Sequence, residues 1–218
     1  MTKPKPSYRF YRGCYRVARA IFGAAFRLRV SGGENIPRGA AMVCANHSSL
    51  IDPILIALAF GIDEFMHFIA KIELFRIPIL SAAIAKLGAI SVDRETTDIA
   101  TIKATLTYFK NGGKVLIFPE GTRTHPGERI PAKPGAVRIA ERAGVPLVPV
   151  FVPREKRLFR RLEVVIGKPY MVDKQGEKRH FEEYAALSGE LMGKIEALGD
   201  GAVSGKKTAI VSLDDHGV

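Results

Sequence analysis

Cysteine is scarce in this chain of 218 residues, with only Cys14 and Cys44 present. Two thiols exclude a disulfide-stapled scaffold and a four-cysteine zinc site, and they suit a reducing compartment. Long apolar runs are missing too. The longest uncharged apolar stretches, residues 54–62 and 77–85, fall well short of the ~20 residues that a bilayer span needs. Residues 1–30 begin basic, as a signal peptide does. Their apolar run at 20–26 is brief, closes on Arg27 and Arg29, and is followed by no convincing cleavage site, so export is not expected. Internal repeats are absent, and so is any acidic residue before Glu34.

What is present has ordinary globular balance. Hydrophobic residues make up 47% and charged residues 25%, which excludes wholesale disorder. At roughly 150 residues per domain, the length fits one domain with or without an appendage. The net charge of +11 is unevenly spread. Lys3, Lys5, Arg9, Arg12, Arg16, Arg19, Arg27 and Arg29 precede the first acid, and Arg154, Lys156, Arg157, Arg160 and Arg161 surround Glu155. The rest of the chain is close to neutral. Two basic patches on a neutral body imply a polyanionic partner, whether nucleic acid, anionic lipid or a phosphorylated substrate. No zinc spacing, aromatic sheet motif or glycine-rich strand supports nucleic acid, which is therefore not expected.

Over residues 8–30 the pattern is helical. Arg9, Arg12, Arg16 and Arg19 recur at three- and four-residue steps on one face, while Tyr11, Cys14, Tyr15, Ala18, Phe22 and Phe26 follow a neighbouring stripe. Guanidiniums beside rings suit a helix lying in a membrane interface, with Arg9, Arg12, Arg16, Arg19, Phe22 and Phe26 as its contacts. The same periodicity also fits a helix packed on its own domain with a solvated basic side.

Downstream, short apolar strands alternate with helices. Strands are expected over 40–45, 89–92, 114–118, 146–152 and 163–166. Helices are expected over 52–60, 78–87, 97–110, 134–142 and 181–198, with Asp52 as N-cap and Pro53 at the first helical position. That alternation predicts a single α/β domain with a mostly parallel central sheet flanked by helices, preceded by the amphipathic segment. Residues 199–218 are small and polar and read as a flexible tail.

In such sheets, functional groups gather beyond the carboxyl ends of strands. Three strand exits carry unusual chemistry here: Asn46-His47, Asp93-Arg94, and Pro119-Glu120-Gly121-Thr122-Arg123. With His47 in a loop and Asp52 in the first helical turn, the carboxylate can fold back onto one ring nitrogen. The other nitrogen is then left as a base, and a substrate hydroxyl can be deprotonated with no protein nucleophile. Cys44 reads as a small core residue. Gly121 between charged neighbours allows close backbone approach to a ligand; Arg123 suits a bidentate phosphate contact, and Thr122 offers a hydroxyl. Glu120 would repel a phosphate, which suggests a contact to a substrate hydroxyl or to an arginine. Arg94 and Lys133 make sense as further cations converging on the same anion.

Taken in order, Asn46-His47-x4-Asp52, Lys71-x-Glu73-Leu74-Phe75, Gly88-x4-Asp93-Arg94, residues 118–124, Lys133-x-Gly135 and Val145-Pro146-x2-Pro149-Val150 resemble the glycerolipid acyltransferase family, nearest to the bacterial lysophosphatidate acyltransferases. The motifs cover about residues 30–170, with Thr124 where serine is commoner. The resemblance implies an acyltransferase domain over 31–198 that moves a fatty acyl group from a thioester, acyl-CoA or acyl carrier protein, to the hydroxyl of lysophosphatidic acid. His47 and Asp52 would be the base and its orienting partner. Arg94, Glu120, Gly121, Thr122, Arg123 and Lys133 would bind the glycerol phosphate. No metal or tightly bound cofactor is implied. The expected setting is a monotopic enzyme on the cytoplasmic face of an anionic membrane, held by residues 8–30, with the cluster at 154–161 assisting there or meeting coenzyme A or an acyl carrier protein. Another lyso-acceptor, glycerol 3-phosphate, or a noncatalytic lipid-binding role on the same scaffold are the alternatives.

Overall fold

The computed structural model describes residues 6–92, 99–125, 127–128, 130–173, 179–203 and 210–212. The strands are β1 (Arg27–Ser31), β2 (Ala41–Ala45), β3 (Met66–Lys71), β4 (Ile90–Val92), β5 (Lys114–Ile117), β6 (Leu147–Phe151), β7 (Arg161–Ile166) and β8 (Ile210–Ser212). They form one sheet in the order β4-β3-β5-β2-β6-β7-β1-β8. From β4 to β6 every pairing is parallel, and so is β1 with β7. Antiparallel contacts join β6 to β7 and β1 to β8. The helices are α1 (Tyr8–Ala25), α2 (Asp52–Phe60), α3 (Pro78–Lys86), α4 (Ile99–Lys110), α5 (Gly135–Ala143) and α6 (Phe181–Val203). The expected α/β architecture is what the chain adopts.

Strand β2 shows why its sequence is apolar throughout. Ala41, Val43 and Ala45 join the core under α1 and α2, whereas Met42 and Cys44 join the core under α4, α5 and α6. A strand covered on both faces has no polar side to alternate with. Burial pushes the Cys44 thiol far above its ordinary value, which leaves it inert as a nucleophile.

Three expectations are corrected. The first helix does not run through residues 8–30: it stops at Ala25, and residues 27–31 form β1, in the sheet interior between β7 and β8. The reason is a change of period. In Arg27-Leu28-Arg29-Val30 the arginines are exposed and the aliphatics buried, an alternation of two that no helix would satisfy. Second, the aromatic stripe of α1 is core rather than surface. Tyr11 and Tyr15 are buried and donate their hydroxyls to the carbonyls of Glu64 and Leu58, at 3.0 and 3.2 Å. Phe26, expected to meet lipid, is buried at the end of the helix; Phe22 is half-buried and stacks on it. Arg9 and Arg16 remain exposed. Arg12 lies against Asp63 and over the Tyr8 ring, and Arg19 reaches the Tyr15 hydroxyl. Third, residues 199–218 are not wholly tail: α6 continues to Val203, and residues 210–212 pair with β1. Strand β3 was not expected. It inserts between β5 and β4.

β3 is secured by His67. Its ring stacks on Tyr108 with centroids 3.5 Å apart, and its Nδ1 lies 3.1 Å from the Gly88 carbonyl. Gly88 has φ of +77°, and a Cβ there would stand 2.5 Å from that nitrogen, so only glycine fits. Burial pulls the His67 pKa down to about 4, partly opposed by the Gly88 carbonyl. Between that value and the unfolded ~6.5, the unfolded chain binds the extra proton. Stability is therefore fully present above pH 6.5 and declines toward pH 4, by about 3 kcal/mol as an order of magnitude. Urea denaturation of His67→Gln should show a flatter stability profile across that window than the parent chain.

Candidate active site

The exit of β2 is clasped to the exit of β6. Asn46 is fully buried; its side-chain amide donates to the Val152 carbonyl and accepts from the Val152 amide, both at 2.8 Å. That clasp continues the sheet pairing by one step and fixes where the next residue, His47, begins.

The loop from His47 to Ile51 then folds back on Asp52. Asp52 does not act as the N-cap that the sequence suggested. It is the first residue of α2, and its carboxylate turns backward into the loop. Oδ2 accepts from the amides of Ser48 and Ser49, each at 2.7 Å, and lies 3.0 Å from His47 Nδ1. Oδ1 has no hydrogen bond of good angle; its charge is met by Lys156 Nζ at 2.8 Å. Lys156 has a side chain only 7% exposed and also donates to Ser48 Oγ and to the Pro153 carbonyl. Burial alone would push the Asp52 pKa up. The His47, Lys156 and Ser48 donors outweigh it, and the carboxyl is held below its ordinary range.

With Nδ1 donating to Asp52, the imidazole keeps its lone pair on Nε2. Among the described residues nothing hydrogen-bonds that nitrogen. The ring is stacked on Phe118, with centroids 3.9 Å apart and planes 15° from parallel, and 12% of the side chain remains exposed. A histidine oriented by a carboxylate, with its other ring nitrogen free, is what general base chemistry requires.

Glu120, expected among the phosphate-binding residues, faces inward. It is 3% exposed, and both of its oxygens are engaged within the protein. Oε2 accepts the His47 amide at 2.6 Å, and Oε1 lies 3.0 Å from Thr124 Oγ1 and 3.6 Å from an Arg154 nitrogen. Of the two roles that its charge allowed, contact with an arginine is the one adopted. Thr124, fully buried, also donates its amide to the His47 carbonyl at 2.8 Å. Arg154 donates to Thr124 and forms a 2.6 Å ion pair with Glu196 of α6. The residues after β5 therefore brace the histidine from behind.

Their outward side is different. Thr122 and Arg123 are exposed, and Lys133 lies across Gly121. Gly121 has φ of +72°, and a Cβ there would stand 3.0 Å from Lys133 Cε. Glycine thus provides the close approach expected of it, toward a lysine. No acid among the described residues pairs with Arg123 or Lys133. Asp93 and Arg94 lie outside the described residues.

Sequence reasoning missed Phe118, Arg154 and Lys156 as parts of the site. Charge counting did single out the cluster at 154–161. It could not tell that two of its cations turn inward.

An apolar groove of about 630 Å³ opens beside α2. Its walls include Cys14, Ala18 and Phe22 of α1, Ile54 and Leu58 of α2, and Phe68 of β3. Ile54 is two residues beyond Asp52, so the groove and the dyad share a helix.

A parallel sheet with a histidine–carboxylate pair at a strand exit and unpaired cations beside it describes a hydrolase- or transferase-type site. Comparison with known proteins narrows this. The Acyltransferase family profile matches residues 27–153, and the chain belongs to that family. The 1-acyl-sn-glycerol-3-phosphate acyltransferase of Bacillus subtilis is 33% identical over 198 residues, covering 86% of this chain and 96% of the relative. The enzyme of that name from Pseudomonas aeruginosa is 32% identical over 58% of this chain and 49% of its own. The crystal structure of the lysophosphatidate acyltransferase PlsC from Thermotoga maritima superposes with a TM-score of 0.65 at 27% identity, covering 92% of this chain and 81% of that one.

Lys156→Met should leave a buried carboxylate half unmet and cost about 3–5 kcal/mol of stability. Adding Asp52→Asn removes the stranded charge and should restore part of that loss. Chemical denaturation of both variants checks the sign.

Proposed function

We propose that this chain acylates lysophosphatidic acid to phosphatidic acid, taking the acyl group from a thioester donor. The observation that carries this reading is the His47–Asp52 pair, with its free Nε2 beside exposed, unpaired cations. His47 Nε2 takes the proton from the acceptor hydroxyl as its oxygen attacks the thioester carbonyl. The tetrahedral intermediate collapses, its carbon–sulfur bond breaks, and the departing thiolate takes the proton from the imidazolium. Asp52 holds the ring in the right tautomer and offsets the transient positive charge. No covalent enzyme intermediate is needed, because the thioester is already activated and positioning supplies much of the rate.

Arg123, Lys133 and the Thr122 hydroxyl form the phosphate-binding side, with Arg94 as a further cation. Glu120 acts behind them as a brace. The apolar groove suits an acyl chain: its volume lies within the ~300–1,000 Å³ typical of ligand sites, and its lining is hydrocarbon and aromatic.

The acceptor of such a reaction resides in a lipid surface, and α1 is proposed to lie on it. No helix among the described residues is long and apolar enough to cross a membrane. On α1 the large exposed aliphatics are Val17 and Ile21, in place of the expected Phe26, and Arg9 and Arg16 are exposed cations of the same helix. Because Tyr11 and Tyr15 belong to the core, deleting α1 would unfold the protein rather than merely release it. Surface substitution is the cleaner test.

His47→Ala should lower turnover by about 10²–10⁴-fold with little change in the KM for the acceptor, followed as thiol release from acyl-CoA with lysophosphatidic acid. Retained turnover would overturn the base assignment. Arg123→Ala should raise the acceptor KM by on the order of tenfold or more, as loss of a charge-assisted hydrogen bond does.

A further inference from the structure

The segment joining β6 to β7 divides its cations between two tasks. Lys156 meets Asp52 of the dyad, and Arg154 meets Glu120 and Thr124 behind it. Beyond them the chain turns outward and presents Leu158 and Phe159, which are 61% and 72% exposed. Such adjacent large apolar side chains at a loop tip gain nothing from water.

Phe159 is unusual in a second way. Its φ is +59°, and among the described residues it is the only non-glycine with a positive φ. The left-handed region is unfavourable for a residue with a Cβ, and asparagine or glycine would occupy it more easily. Its amide donates to the Ala25 carbonyl at 2.7 Å, which fixes the turn to the C-terminal end of α1. The backbone is therefore anchored while the ring projects outward. The ring itself offsets little of the strain, since 72% of the residue is exposed.

The surroundings are cationic. Arg27 and Arg161 are direct register partners in β1 and β7, an arrangement of like charges that sheets avoid. Arg157 and Arg160 stand on either side of the Leu158–Phe159 tip; Arg157 pairs with Glu155 and Arg161 with Glu163, and no acid among the described residues pairs with Arg27 or Arg160, so the patch keeps a net positive charge. Val17, Ile21 and Ala25 follow one another at four-residue spacing along α1, so the stripe carrying the two exposed aliphatics of α1 leads toward the loop.

We infer that Leu158 and Phe159 form a membrane-inserting wedge, which enters an anionic lipid surface while Arg27, Arg157, Arg160 and Arg161 engage its headgroups. The inference rests on the lipid-acceptor reading above and adds a second point of attachment, remote in sequence from α1. Rings and leucines at the headgroup boundary with arginines around them match the chemistry of such a surface. Two anchors also fix an orientation, which one helix alone does not. Since Lys156 lies two residues before the tip, the attachment is made by the same short segment that holds Asp52.

The chain contains no tryptophan, so Phe159→Trp installs a single reporter at the tip. Titrated with phosphatidylglycerol-rich vesicles, its emission should shift to the blue and be quenched by brominated acyl chains, with a weaker response to pure phosphatidylcholine. Co-sedimentation is followed on the same samples. If the protein sediments with vesicles and the emission does not move, the wedge is wrong and the lipid-surface reading survives. If it does not sediment at all, both fail. A shift produced by an acidic acyl carrier protein and not by vesicles also overturns the wedge. Phe159→Gly gives an independent check with opposite signs: relief of the left-handed strain should raise Tm by about 2–4 °C, while vesicle affinity falls on the order of tenfold. A purely structural Phe159 would lower Tm and leave vesicle affinity unchanged.

Discussion

A single buried carboxylate organises this site. Asp52 lies beneath the loop that carries His47 and cannot be reached by water, so every charge-satisfying contact has to come from the protein. The Ser48 and Ser49 amides, the imidazole and Lys156 provide them. Each of those contacts also shapes the loop. The amides close it, the imidazole is aimed by it, and the lysine ties it to the segment after β6. Keeping the carboxylate ionised and placing the imidazole are therefore one requirement rather than two.

Around this centre a second layer works on the backbone of His47 rather than on its ring. Glu120 takes its amide, and Thr124 takes its carbonyl. Phe118 covers one face of the imidazole. These three residues belong to one short stretch after β5, and the residues between and beyond them face outward as exposed hydroxyl and cation. One turn thus has an inner side that holds the His47 loop and an outer side that exposes a hydroxyl and a cation. The glycine at its middle permits both, because its left-handed backbone brings Lys133 against the turn.

Much of this was legible before any coordinates. The alternation of apolar runs and helical periods specified the parallel sheet, and two of the three strand exits singled out, at His47 and at residues 119–123, are brought together. What escaped was governed by contacts distant in sequence. Tyr11 and Tyr15 obey a helical period that serves a core as well as a membrane, and only the position of α2 decides between them. Arg27-Leu28-Arg29-Val30 carries a clear period of two, yet four residues beside a strong helical pattern were absorbed into it. β3 hid because a buried histidine sits where an aliphatic residue would mark a strand. The inward turn of Arg154 and Lys156 has no local signature at all, since it answers to Glu120, Glu196 and Asp52, all distant in sequence. Glu120 was equally opaque, since its partners are chosen by the fold.

The ion pair between Arg154 and Glu196 has a further bearing, on synthesis. Glu196 lies near the end of α6, whereas the histidine it helps to steady, through Arg154 and Thr124, is made some hundred and fifty residues earlier. While the chain is still emerging from the ribosome, the strands around β2 can pair and the loop can close on its aspartate, but the brace behind it has no final partner. The support behind His47 is thus completed only when α6 docks, late in synthesis.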